Sequence, residues 1–153
     1  MDNSFLAVGE INQFYIVEEK RKKVEETKDK IIFEPKEKEV LIAEAIEQLK
    51  SEIVKDDFLR MEKQLWKTLL LLENYEFQTA KGLKFFYKIK GNEIFFSRKE
   101  KSVTRASVTI AFKKAVELQK EGVLIKGPKM LKSFGASYLY PVFIKIGVID
   151  IGN

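Results

Sequence analysis

The stretch from Leu83 to Arg98 reads LKFFYKIKGNEIFFSR, and the arrangement of the rest of the chain follows from it. From Leu83 to Lys90 and again from Glu93 to Arg98 the residues repeat with a period of two, interrupted by Phe86 and Phe95, and that period places successive side chains on opposite faces of a strand. Between the two runs, Gly91-Asn92 can supply the positive φ angles that a two-residue turn requires. A loop of that length fixes the register: Lys90 faces Glu93, Ile89 faces Ile94, Lys88 faces Phe95, Tyr87 faces Phe96 and Phe85 faces Arg98. Leu83, Phe85, Tyr87, Ile89, Ile94 and Phe96 then share one face, which must be core, while Lys84, Phe86, Lys88, Lys90, Glu93 and Phe95 share the other.

Downstream of the hairpin the spacing becomes helical. A helix should begin near Ser102 or Thr104, whose hydroxyls suit an N-cap, and run through Val108, Ala111, Phe112, Ala115 and Leu118 to a stop at Gly122. Gly127-Pro128 marks a turn. The apolar and aromatic tail from Ser137 to Ile146 predicts a short buried helix with Pro141 in its first turn and Gly147 as its C-terminal cap. Two short resemblances fall in this region. Val103-Thr104-Arg105-Ala106-Ser107-Val108 with Ala111 resembles the recognition helix of winged helix-turn-helix regulators, which implies a base-reading role; a hairpin precedes it where that family has a positioning helix. Lys81-Gly82-Leu83-Lys84-Phe85 resembles the start of the RNP1 motif of RNA-recognition domains, with Leu83, Lys84 and Lys88 departing from its pattern.

Upstream, Ile42, Ile46, Leu49 and Ile53 recur at three and four residues beside Leu41 and Ala45, with acidic residues opposite, predicting a helix from Glu37. Asp56 or Asp57 can cap a second helix whose stripe is Phe58, Met61, Leu65, Leu69 and Leu72, and the two should form an antiparallel pair. Residues 5 to 17 are mostly apolar without a clean period, compatible with a strand or the start of a helix. Of the thirteen residues from Glu18 to Lys30, eleven are charged, six positive and five negative, as on a solvated helix face or hairpin tip. Ile31, Ile32 and Phe33 look like a short strand ended by Pro35. The expected class is therefore α+β: one compact domain over 1–153 with a helical N-terminal part, an antiparallel hairpin, a long helix and a short C-terminal helix. A subdivision would separate an acidic, mainly helical part, 1–76, from a basic hairpin-helix part, 77–153.

Composition narrows the chemistry. The 153 residues are 45% hydrophobic and 33% charged, enough for a core without staples. There is no cysteine, which excludes disulfides and thiolate metal sites, and no histidine, which removes serine–histidine and cysteine–histidine nucleophile systems, HExxH zinc sites and histidine general bases. The start, MDNSFLAVGEINQ, lacks the pattern of a signal peptide, and no apolar run approaches the roughly 20 residues of a membrane span. A cytoplasmic protein without a membrane role is expected. Residues 1–76 hold 13 basic and 18 acidic residues, net −5, and residues 77–153 hold 15 and 5, net +10. That asymmetry points to a polyanion partner or to one half docking on the other.

Two regions qualify as an anion surface. The outer hairpin face interleaves lysines, among them Lys84 and Lys88, with Phe86 and Phe95, so that cations could hold phosphates while rings stack on bases. The favoured alternative is that the first two helices cover this face. The second region is the junction Ser97 to Arg105, where Arg98, Lys99, Lys101, Ser102, Thr104 and Arg105 would meet the positive end of the third helix. Catalytic patterns are missing: no acid stands two positions before a strand lysine as in PD-(D/E)xK nucleases, Glu37, Glu39, Glu44 and Glu47 have the spacing of an exposed face, and no glycine-rich loop ends in GK[ST]. No catalytic residue, metal or cofactor is expected. The leading expectation is a small non-enzymatic nucleic-acid-binding protein, DNA-associated or regulatory, with DNA or RNA as partner. The competing one is a protein-interaction or assembly module, a homo-oligomer included, with Phe134, Tyr138, Tyr140, Pro141 and Phe143 as its interface unless they are core.

Overall fold

The computed structural model describes residues 35–151, and the chain divides into two units, Met1–Lys38 and Glu39–Asn153. The expectations for residues 5–33 lie outside the described residues. The change of charge at residues 76–77 falls inside the second unit, where both sides of it feed one core running from Ile42 to Ile149.

Helix α1 (Pro35–Lys55) opens at a proline, where a missing N–H costs no hydrogen bond. It buries Ile42, Ala45 and Leu49. It stops at Asp56, which takes a left-handed φ of 62° and donates its N–H back to the carbonyls of Glu52 and Ile53. Asp57 then caps α2 (Phe58–Leu71) by accepting from the Arg60 N–H at 3.3 Å. The α2 stripe is buried as its spacing requires, at Met61, Leu65 and Leu69, with Trp66 and Thr68 beside it.

The strands are β1 (Phe77–Gln78), β2 (Lys84–Phe85), β3 (Tyr87–Lys90), β4 (Glu93–Phe96) and β5 (Val103–Thr104). The first two form a two-stranded sheet; the other three form a second sheet in the order β3-β4-β5, and all pairings are antiparallel. The fold is α+β. The register of β3 on β4 is the one the turn length dictates, from Tyr87 opposite Phe96 to Lys90 opposite Glu93. Gly91 alone of the turn pair takes a positive φ, 59°, the pattern of a type II′ turn with glycine first.

The hairpin departs from expectation at its open end. Phe85 pairs with Phe77 and not with Arg98, because the chain changes sheets at Phe86. There the Phe86 carbonyl still accepts from the Ser97 N–H at 2.9 Å, but its own N–H goes to the Ser97 hydroxyl at 3.0 Å. Leu83, expected in the core, is 44% exposed. It sits where Thr79 closes the β1–β2 loop, with the Leu83 carbonyl accepting from the Thr79 N–H and the Thr79 hydroxyl accepting from the Leu83 N–H. Strands β1 and β5 have two residues each, too few to show a period in the sequence.

Phe85, Tyr87, Ile94 and Phe96 point inward as expected. Their rings cluster with Phe77 and with Tyr138 from the tail: Phe77 and Phe85 stack at 5.6 Å, and Tyr138 lies 5.0 Å from Phe85 and 5.1 Å from Phe96. Tyr87 is fully buried, and its hydroxyl donates to the Leu69 carbonyl at 2.5 Å, pinning the hairpin to α2. Burial first, and the Glu73 carboxylate second, push that phenol well above its ordinary pKa of 10.0.

Helix α3 (Arg105–Lys120) is capped by Thr104, whose hydroxyl accepts from the Ser107 N–H at 3.1 Å. It buries Val108, Ala111, Phe112, Ala115 and Val116, and it ends at Gly122 in a Schellman arrangement, with the Val123 N–H on the Leu118 carbonyl. A 3₁₀ turn (Pro128–Leu131) follows, then α4 (Ala136–Lys145). Pro141 is the sixth residue of α4, not part of its first turn. With no N–H to offer the Ser137 carbonyl, it removes one bond from the helix interior, a defect that the surrounding burial of Leu139, Tyr140, Val142 and Phe143 offsets.

Gly135 precedes α4 at φ 82°, and a Cβ there would lie 2.6 Å from Cγ2 of the buried Val103 in β5. Gly122 has a similar φ of 80° with nothing near its missing Cβ. Gly122→Ala should therefore cost about 1–2 kcal/mol from left-handed backbone strain alone, and Gly135→Ala about 1–3 kcal/mol beyond that from overpacking. Urea denaturation of the two variants checks the order; equal midpoints would contradict it.

Candidate nucleic-acid interface

Helix α2 lies on the inner side of the hairpin, where Leu69 meets Tyr87. Phe86 and Phe95 are accordingly open to water, at 44% and 40% exposure, which corrects the expected covering by α1 and α2. Lys88 stands directly across from Phe95, and Lys90 holds its ammonium 5.7 Å from the Phe95 ring, near the outer limit of a cation–π contact. Glu93 pairs with Thr104 across the sheet, and its Oε1 accepts from the Ser102 hydroxyl. Phe86, Lys88, Lys90, Glu93 and Phe95 thus form one water-facing surface.

The free edge of that sheet is closed. Antiparallel pairing leaves Tyr87 and Ile89 with backbone groups directed away from β4. The Glu73 carboxylate accepts the Ile89 N–H at 2.6 Å, and the Asn74 N–H donates to the Tyr87 carbonyl at 3.0 Å. An added strand would have to displace both, so the face, and not the edge, is open to a ligand.

The residues expected to gather at the start of α3 are distributed over two ends of the sheet. Arg98, Lys99 and Lys101 lie in the β4–β5 loop, at the end where Phe86 meets Ser97. Arg98 and Lys101 are exposed, the Arg98 carbonyl accepts from the Tyr138 hydroxyl at 3.5 Å, and the Lys99 ammonium sits 3.9 Å over the Phe134 ring. Thr104 is at the opposite end, beside the Gly91-Asn92 turn, roughly 10 Å along an extended chain from Lys101. Lys84 is on β2, in the other sheet, and pairs with Glu76 at 3.5 Å where both are exposed.

Arg105 turns away from the surface. Its Nε and second terminal nitrogen donate to the two Glu62 oxygens at 2.8 and 3.1 Å, its first terminal nitrogen donates to Asn92 Oδ1 at 3.3 Å, and its guanidinium lies 4.7 Å over the Trp66 ring. Thr109 donates to the same carboxylate at 3.3 Å. The Arg105 hydrogen bond, the Arg105 charge and the Thr109 hydroxyl together hold the Glu62 carboxyl below its usual pKa, against the opposing effect of burial. The residues that resemble a recognition helix are engaged in the same way: Val103, Val108 and Ala111 are core, Thr104 caps the helix through Ser107, and a strand precedes it. The stretch resembling RNP1 falls in the β1–β2 loop and β2, off the three-stranded sheet.

The aromatic tail is mainly core. Phe143 and Tyr140 are buried, Tyr140 donating to the Ile125 carbonyl at 3.1 Å, Tyr138 and Pro141 are half-buried, and Phe134 alone among the five is exposed. An interface built on all five is therefore corrected by the packing. The alternation along the hairpin places Phe86, Lys88, Lys90 and Phe95 on one face, whereas Lys84, expected beside them, belongs to the two-stranded sheet. Among the described residues, no helix is long and apolar enough to cross a membrane. No family model, curated protein or solved structure matches the chain.

Glu62→Gln should destabilise the protein at neutral pH by about 1.5–3 kcal/mol, the range for hydrogen bonds to a charged group. Because the folded state lowers this carboxyl's pKa, the stabilisation is complete above the ordinary value of 4.5 and is lost as pH falls through the lowered folded value. Urea titrations of both proteins at stepped pH should show the difference shrinking only in that acid range. A constant difference would remove the ionised pair as its source.

Proposed function

We propose that the protein is a non-enzymatic, DNA-associated or regulatory binder of single-stranded nucleic acid, using the outer face of β3 and β4. One observation carries the reading: two phenylalanine rings, Phe86 and Phe95, stay in water on a face that also bears Lys88 and Lys90. Exposed rings lose the burial that normally justifies them, and a cluster of them on a charged strand face suits stacking on unpaired bases, each worth about 1–3 kcal/mol. The lysines supply the phosphate attraction that makes such binding salt-dependent. Arg98 and Lys101, exposed in the loop beyond Phe86, extend the positive surface along a strand's path, and the net charge of +10 over residues 77–153 favours the same partner. A duplex keeps its bases stacked on each other, so it would offer this face only phosphates.

Fluorescence anisotropy with a labelled oligothymidylate and a duplex of equal length tests the reading. The single strand should bind more tightly. Phe86→Ala and Phe95→Ala should each weaken it about tenfold, in line with one lost stack, with urea midpoints close to wild type because neither ring is in the core. Lys88→Glu should weaken binding and flatten its salt dependence. Unchanged affinity in both phenylalanine variants, or no binding at low salt, would defeat the proposal.

A further inference from the structure

On a face meant for phosphates, Glu93 is out of place. Lys90 stands directly opposite it in the register, yet the ammonium leans to the Phe95 ring, and Glu93 makes no ion pair among the described residues. Its hydrogen-bond partner among the described residues is the Ser102 hydroxyl, which donates to Oε1. That contact orients the carboxylate, and no donor among the described residues reaches Oε2; Oε1, with a second lone pair, can accept again. Glu93 and Phe95 are on the same strand and the same face, two residues and so roughly 7 Å apart.

We infer that Glu93 reads the edge of the base stacked on Phe95 and gives the face a preference for guanine. The inference rests on the stacking surface proposed above. A carboxylate oriented by Ser102 offers two acceptor oxygens side by side and no donor. Guanine presents N1–H and the N2 amine side by side on its Watson–Crick edge, so both oxygens find a proton. Adenine and cytosine place one amine beside a ring-nitrogen acceptor, which would face the second oxygen unfavourably, and thymine or uracil flanks its single N–H with two carbonyls. A base arriving on Phe95 would displace the loosely held Lys90 ammonium from the ring and free it for the adjoining phosphate. A carboxylate repels the backbone of every sequence equally, so its cost is recovered only where a base supplies donors, which makes it a device for discrimination and not for affinity.

A structural role is available to Glu93 as well, since it pairs with the N-cap residue of α3 and a negative charge there favours the helix dipole. The measurement must therefore read base preference. Anisotropy is recorded for the full chain with a labelled oligothymidylate and with the same strand carrying one central deoxyguanosine, deoxyinosine, deoxycytidine or deoxyadenosine. Deoxyguanosine should improve binding about tenfold over thymidine, the size of one good bidentate base contact, and deoxyinosine, which lacks the N2 amine, should fall between. Glu93→Gln keeps an acceptor for Ser102 but turns the second oxygen into a donor, so it should lose the preference for deoxyguanosine and bind the oligothymidylate more tightly. Equal binding of the five strands by the wild type, or a guanine preference that survives in Glu93→Gln, would overturn the inference. If the strands bind equally while Phe86→Ala and Phe95→Ala still weaken binding, the stacking surface stands and only the role of Glu93 falls. If no strand binds, both fall.

Discussion

The two-residue turn at Gly91-Asn92 locks β3 against β4 in one register, and nearly every other feature of the second unit depends on it. A slip of one residue would send Lys88 and Phe95 inward and put Tyr87 and Phe96 in water. The inner rings would then lose Phe77, Phe85 and Tyr138 as neighbours, and the Tyr87 hydroxyl would lose the Leu69 carbonyl. Each loss is a burial or hydrogen-bond loss inside a packed core, so the alternative register has no compensation.

Two polar attachments then decide which side of the sheet the helices occupy. Arg105 binds Glu62 of α2, lies on Trp66 and reaches Asn92 in the turn, joining α2, the hairpin and α3 through one side chain. An exposed lysine or arginine gains little from a distant anion in water. Here the pair is only partly exposed, the hydrogen bonds are charge-assisted and a ring covers the guanidinium, so the internal partner wins over solvent. Glu73 and Asn74 do the corresponding work at the free edge of β3, where they satisfy backbone groups that would otherwise invite another strand.

What remains is a sheet with one face in the core, one edge sealed and one face in water. The open face mixes ring, cation and carboxylate in a way that suits a ligand with flat apolar surfaces, negative links and polar edges. On the reading proposed above, that ligand is a nucleic-acid strand with its bases unpaired. The basic loop from Arg98 to Lys101 lies at the Phe86 end of that face, whereas the start of α3, with its cap satisfied by Thr104 and Ser107, lies at the other.

The sequence by itself determined the α+β class, the β3–β4 register, the helix ends at Gly122 and Gly147, and the helix starts to within two candidates each, Asp56 or Asp57 and Ser102 or Thr104, of which the structure uses Asp57 and Thr104. These rest on local free energies, namely side-chain alternation along a strand, the length of a turn, and caps that satisfy N–H and carbonyl groups within one helical turn. The absence of histidine and cysteine is equally a property of composition. Tertiary structure alone decided that α2 packs on the inner face while Phe86 and Phe95 stay open, that Phe85 leaves Arg98 for Phe77, and that Arg105 is drawn to Glu62, 43 residues away. It also placed Pro141 mid-helix and formed the two-residue strands β1 and β5. In each case the outcome depends on which distant segment packs against the residue in the folded chain. Periodicity within a segment carries no record of that choice.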